Sequence, residues 1–134
     1  MGSKRTVALI EDRPDNAEVL RILLTSESGL PEVPWFKSGQ EFLATFEPGS
    51  FALILLDIAL PGMDGYGVLR EIRAKDPDVP VIALTAYAYP ADRERALRAG
   101  FTDYVAKPIV DFDQFSRIIA RHIDPRQSGS GASA

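Results

Sequence analysis

Five short apolar runs alternate along the chain with stretches whose apolar residues recur at helical spacing. Residues 6–10 (TVALI) are apolar almost throughout and end at the acidic pair Glu11-Asp12, a pattern that suits a strand buried on both faces. Pro14 and Asp15 then open a helix, since proline is tolerated in a first turn and acid there complements the helix dipole. Val19, Leu20, Leu23 and Leu24 form its apolar positions, and Gly29 stops it. Residues 32–36 predict a second strand, placed at a sheet edge because Pro34 has no N–H for a ladder. Ser38 caps the next helix, which carries Phe42, Leu43 and Phe46 before Pro48-Gly49 breaks it. Residues 51–56 (FALILL) read as the central strand and deliver Asp57 at its carboxyl end. A loop with Pro61-Gly62 and Asp64-Gly65 leads to a helix with Val68, Leu69 and Ile72 on one face. The fourth strand, 79–84, ends at Thr85; Pro90 starts a helix with Ala96, Leu97 and Ala99 as its apolar side and Gly100 as its stop. The fifth strand, 101–106, ends at Lys107-Pro108, and a last helix spans Phe112 to Ile123.

A helix after every strand implies an α/β fold with a parallel sheet covered on both faces. The 134 residues fit one domain, and a formal net charge of -4 disfavours direct binding to nucleic acid. With no cysteine and a single histidine, thiolate chemistry and multi-histidine metal sites are excluded. No apolar run approaches the roughly 20 residues that span a bilayer, and no signal segment precedes the first strand. Gly2-Ser3 fits a loose myristoylation pattern but reads as flexible filler, and residues 128–134 (SGSGASA) read as a flexible tail.

In an open parallel sheet, ligands bind outside the carboxyl ends of the strands. Collected there are Glu11, Asp12, Asp57, Thr85 and Lys107. Crowded carboxylates repel one another unless a cation shares the site, and a hard divalent ion takes oxygen ligands of this kind. With a hydroxyl and an ammonium added, the set can hold a phosphoryl group bound to that metal.

This set resembles the response-regulator receiver family of two-component signalling, in its chemotaxis-regulator-like form. The resemblance is carried by Glu11-Asp12, Asp57 in Leu55-Leu56-Asp57, the Pro61-Gly62-Met63-Asp64-Gly65 loop, Thr85-Ala86 and Lys107-Pro108, over roughly residues 4–123. It implies a flavodoxin-like, doubly wound sheet of strand order 2-1-3-4-5 with five helices, a receiver unit over residues 4–124 and a tail or linker over 125–134. It makes Asp57 the phosphoryl acceptor, fed by a histidine kinase or phosphotransfer protein. Asp12, Asp57 and the main-chain carbonyl of Ala59 would bind magnesium (or manganese), with Glu11 acting mostly through water. Thr85, Lys107 and the amides of Ala59 and Ala86 would hold the phosphoryl oxygens. The Lys107-Pro108 bond would be cis. Thr85 and Tyr104 would form a switch that alters the face of helix four, strand five and helix five for a downstream effector. The resemblance also allows a homodimer, and implies a cytoplasmic chain that is a phosphoacceptor rather than an enzyme acting on other substrates. No DNA-binding or catalytic segment is read after Ile123, as expected of a receiver standing alone or cut from a larger protein.

Other readings fit less well. A haloacid-dehalogenase-type enzyme needs a second acid where Ala59 stands, and the glycines at 62, 65 and 67 run in the wrong order for a dinucleotide fingerprint. A flavodoxin-like cofactor binder would want neutral donors where Glu11-Asp12 stand, and a receiver used only for protein contacts would not need the intact acids, Thr85 and Lys107. His122 reads as a histidine favoured by a helix C-terminus, Arg93, Arg95 and Arg98 as a solvated face or partner surface, and Trp35 as packing beside the edge strand. The resemblance also places Ala59 and Tyr87 beside the in-line approach of water, where neither offers the amide or acid that would hold it, so a long-lived phosphorylated state is expected.

Overall fold

The computed structural model describes residues 6–27, 29–30, 32–86 and 89–123. The order is β1 (Val7–Ile10), α1 (Pro14–Ile22), β2 (Trp35–Phe36), α2 (Gly39–Thr45), β3 (Leu53–Asp57), α3 (Gly65–Lys75), β4 (Val81–Thr85), α4 (Pro90–Ala99), β5 (Asp103–Ala106) and α5 (Phe112–Ile123). The five strands pair in parallel in the order β2-β1-β3-β4-β5.

The continuous apolar runs follow from burial on both faces. Along β1, Val7 and Leu9 enter one core with Leu55, Leu84, Leu20 and Phe115, on the side of α1 and α5. Ala8 and Ile10 enter the other, with Leu56, Phe42, Val68 and Ala96, on the side of α2, α3 and α4. Alternate side chains point to opposite faces, so a strand covered on both sides has no polar position to spare. Each fully buried leucine or isoleucine contributes about 1.5–3 kcal/mol over its exposed state.

The predicted elements are all present, with three local differences. The second strand keeps only Trp35–Phe36, at the sheet edge; the Pro34 carbonyl accepts from the Leu9 N–H at 2.9 Å, so the proline serves as an acceptor only. The first helix ends at Ile22 and widens into a π-helical turn over Leu23–Glu27, which buries Leu23 and Leu24 but leaves Val19 56% exposed. Val19 is turned about 100° from Leu20 around the helix, beyond the stripe that meets the sheet. In α4 only Ala96 is buried; Leu97 and Ala99 face outward, because Phe101 and Tyr104 already fill the interior beneath the helix. Among the described residues no helix is long and apolar enough to cross a membrane. The filler at Gly2-Ser3, Tyr87 and the tail at 128–134 lie outside the described residues.

Candidate functional site

Sheet register brings the predicted site residues to one edge. Ile10 pairs with Leu56, Asp57 with Leu84, and Thr85 with Ala106, so Glu11, Asp57, Thr85 and Lys107 emerge side by side. Glu11 is fully buried, and every polar group it has is engaged. Its N–H donates to the Phe36 carbonyl at 3.0 Å and its carbonyl accepts from the Trp35 indole at 2.7 Å. One carboxylate oxygen accepts from the Arg13 N–H at 3.2 Å, and the other lies 3.2 Å from Lys107 Nζ.

Lys107 Nζ also donates to Asp57 Oδ2 at 2.9 Å, while Asp57 Oδ1 accepts from the Ala59 N–H at 2.9 Å. Burial by itself would lower the lysine pKa; the hydrogen bond to Asp57 and the charges of Asp57 and Glu11 outweigh it and raise the value. Glu11 is also pushed up, first by burial and then by repulsion from Asp57, against the pull of Lys107. Asp12 completes the acidic group: Glu11, Asp12 and Asp57 each present a ligand oxygen within 4.8 Å of the others.

The loop after β3 holds Asp57 in place. The Ile58 N–H donates to the Leu84 carbonyl at 3.0 Å, and the Gly65 N–H to the Ile58 carbonyl at 2.8 Å. A Cβ at Gly65 would stand 2.6 Å from the Ile58 Cα and 2.8 Å from the Asp57 carbonyl oxygen, so only glycine allows that return. Thr85 is buried at the end of β4, and its carbonyl accepts from the Lys107 N–H at 2.7 Å. The Lys107-Pro108 bond is cis. A cleft of about 650 Å³ opens over the group, with Asp12, Asp57, Ala59, Ala86 and Lys107 in its wall.

Tyr104 stands apart from this contact set, opposite Ala83 on β5. It is buried, and its hydroxyl has no hydrogen-bond partner among the described residues. Burial raises its pKa, with Asp92 and Tyr66 adding to the effect. His122 does sit in the last turn of α5, and it also lies 3.1 Å from Asp103 Oδ2. Arg95 is more than a solvated side chain, since its guanidinium lies 4.4 Å from the centroid of the Tyr66 ring. Two residues escaped the pattern reading: Trp35 as a donor to Glu11, and Arg73, which hydrogen-bonds the Gly100 and Val79 carbonyls. A half-buried indole usually finds an acceptor, and a late-helix arginine often finds carbonyls, but neither rule names the partner.

The response regulator receiver domain family model matches residues 7–120. The chain belongs to that family. A transcriptional regulatory protein of Bacillus subtilis, CssR, is 36% identical over 113 residues, which cover 84% of this receiver and 49% of that protein. An uncharacterized 14.6 kDa protein of Leptolyngbya boryana is 37% identical, over 77% of this chain and 79% of its own length. The receiver thus spans most of one relative and about half of the other. Among solved structures, the receiver domain of the Pseudomonas aeruginosa sensor histidine kinase PA1611 is similar with a TM-score of 0.78 at 38% identity, over 90% of this chain and 98% of that one. That structure has a magnesium ion coordinated in its active-site cleft. The oxygen donors of this receiver fit such an ion: the buried Glu11 and Asp57 and the half-buried Asp12 converge, and the one ammonium among them does not neutralise them all.

Proposed function

We propose that Asp57 accepts a phosphoryl group from a phosphohistidine on a histidine kinase or phosphotransfer protein, in a reaction this chain itself promotes. The observation that supports it best is the two ion pairs that Lys107 makes with the buried Glu11 and Asp57, beside Asp12. An Asp57 carboxylate oxygen forms the new bond to phosphorus as the bond to the donor nitrogen breaks and its electron pair leaves with the donor. Asp12, Asp57 and the Ala59 carbonyl would hold magnesium, with Glu11 acting through water; the ion supplies charge neutralisation at the phosphoryl oxygens. Lys107, Thr85 and the amides of Ala59 and Ala86 would hold those oxygens, and fixed donors of this kind carry much of a phosphoryl transfer. The Ala59 N–H donates to Asp57 Oδ1, which places a fixed backbone donor beside the carboxylate that would take the phosphoryl group.

Phosphorylation would draw Thr85 inward and reset Tyr104, changing the face of α4, β5 and α5 toward an effector or a second copy. The orphaned Tyr104 hydroxyl favours that reading, because a group short of a partner gains from a second arrangement that provides one. The functional unit is taken as residues 4–124, acting in the cytoplasm. Ala59 offers no side chain to hold an attacking water, which supports a long-lived phosphorylated state; its companion Tyr87 lies outside the described residues.

Incubation with a small-molecule phosphodonor and magnesium should add one phosphoryl group to the wild type and none to Asp57→Asn. Undiminished labelling of that variant would falsify the assignment.

A further inference from the structure

Trp35 is the single tryptophan of the chain and stands on the edge strand, on the α1 side of the sheet. Its indole N–H reaches the Glu11 carbonyl at 2.7 Å, across a sequence separation of 24. That carbonyl belongs to the same planar peptide as the Asp12 N–H, so a bond on it sets the rotation of the plane and the place of the Asp12 Cα. The preceding peptide is fixed from the same strand, where the Phe36 carbonyl accepts from the Glu11 N–H at 3.0 Å.

Asp12 has few other anchors. Among the described residues its carboxylate makes no hydrogen bond or ion pair, and α1 begins only at Pro14 with no side-chain cap on its first turn. The contrast with Glu11 is clear, since both Glu11 carboxylate oxygens are held by Lys107 and the Arg13 N–H. The direction of the Asp12 side chain therefore depends on the backbone beneath it.

We propose that Trp35 is a positioning residue for the metal-binding acids: its indole holds the peptide joining Glu11 to Asp12, and so aims the Asp12 carboxylate at the site. This rests on the proposed metal role of Asp12 and Asp57. Because Trp35 is the only tryptophan, it also reports optically on that peptide.

Trp35→Phe keeps an aromatic ring on the edge strand and removes the donor. Magnesium titration of the full chain by calorimetry should give a Kd raised roughly three- to tenfold, the range of one net hydrogen bond. The magnesium-induced rise in Tm should shrink with it, because that rise depends on metal concentration relative to Kd. A tryptophan that merely packs would lower Tm equally with and without the ion and leave Kd alone. In the wild type, Trp35 emission should titrate with magnesium at the calorimetric Kd and stay flat in Asp12→Asn. An unchanged Kd in the folded variant overturns this proposal alone; if the variant does not fold, flat emission in a wild type that binds magnesium does so. A wild type that takes up no magnesium overturns the metal reading itself, and this inference with it.

Discussion

Helices α3 and α4 sit side by side on one face of the sheet and are attached in opposite ways. Helix α3 buries Val68, Leu69 and Ile72, and its first turn is capped by Asp64, which accepts from the Gly67 N–H at 3.0 Å. Helix α4 buries Ala96 alone and has no side-chain cap at its N-terminus. What it lacks in apolar burial is replaced by two arginines. Arg95 lies on the Tyr66 ring, and Arg73, from the last turn of α3, grips the Gly100 carbonyl through Nε at 3.1 Å and a terminal nitrogen at 2.9 Å. Apolar packing gives one deep arrangement, whereas a helix held by polar contacts at its middle and its C-terminal end can shift its other end at low cost. The helix with the apolar anchor follows the Asp57 loop, and the one held by polar contacts packs beside Tyr104.

The largest expected effect separates the two helices directly. Ile72→Ala should lower unfolding stability by about 2–5 kcal/mol, since the cavity forms in a packed core. Leu97→Ala, at a position 38% exposed, should change it by about 0.5 kcal/mol or less. Urea midpoints for the two variants measure this, and equal losses would break the comparison.

Arg73→Met comes next. Loss of charged hydrogen bonds to the Gly100 and Val79 carbonyls should remove about 2 kcal/mol. Hydrogen exchange should then speed up in α4 more than in α3. Uniform acceleration across both helices would mean that Arg73 is not the anchor of α4.

A smaller change of opposite sign is expected at Tyr104. Tyr104→Phe removes a buried hydroxyl that has no partner among the described residues, so stability should rise by about 1 kcal/mol and Tm by about 3 °C. The raised phenol pKa also fixes a pH dependence. The unfolded phenol ionises first, near its ordinary value of 10.0, so the contribution is constant below that value and is lost as pH climbs through the higher folded one. Unfolding of wild type and Tyr104→Phe at pH values on either side should show the phenylalanine variant losing less on the alkaline side. Matching slopes would rule out Tyr104 as their source.

The smallest effect belongs to Arg95→Ala. Amide exchange in the middle of α4 should quicken while the urea midpoint barely moves, as for one cation–π contact near the surface. A midpoint shift as large as that of Arg73→Met would show that the two arginines share the load.

Much of this was legible in the amino-acid sequence. Apolar runs located all five strands, Pro34 put β2 at the edge, and the last helix has the predicted bounds Phe112–Ile123. These features rest on local rules: side-chain periodicity, the missing proline N–H, and the capping of helix ends. The order of acids, threonine and lysine at strand ends was legible for the same reason, because a parallel sheet sends every strand end to one edge. Tertiary structure alone decided the rest. Val19 and Leu97 are apolar in the sequence and exposed in the fold, since exposure depends on which neighbours already fill the core. Trp35 found the Glu11 carbonyl and Arg73 found Gly100, partners set by strand register and helix placement. Glu11 could not be read as the fully buried acid of the group, because its burial comes from β2, Lys107 and the Arg13 amide closing around it. Period and composition describe one segment at a time, whereas a polar group's partner is chosen by segments that meet only when the chain is folded.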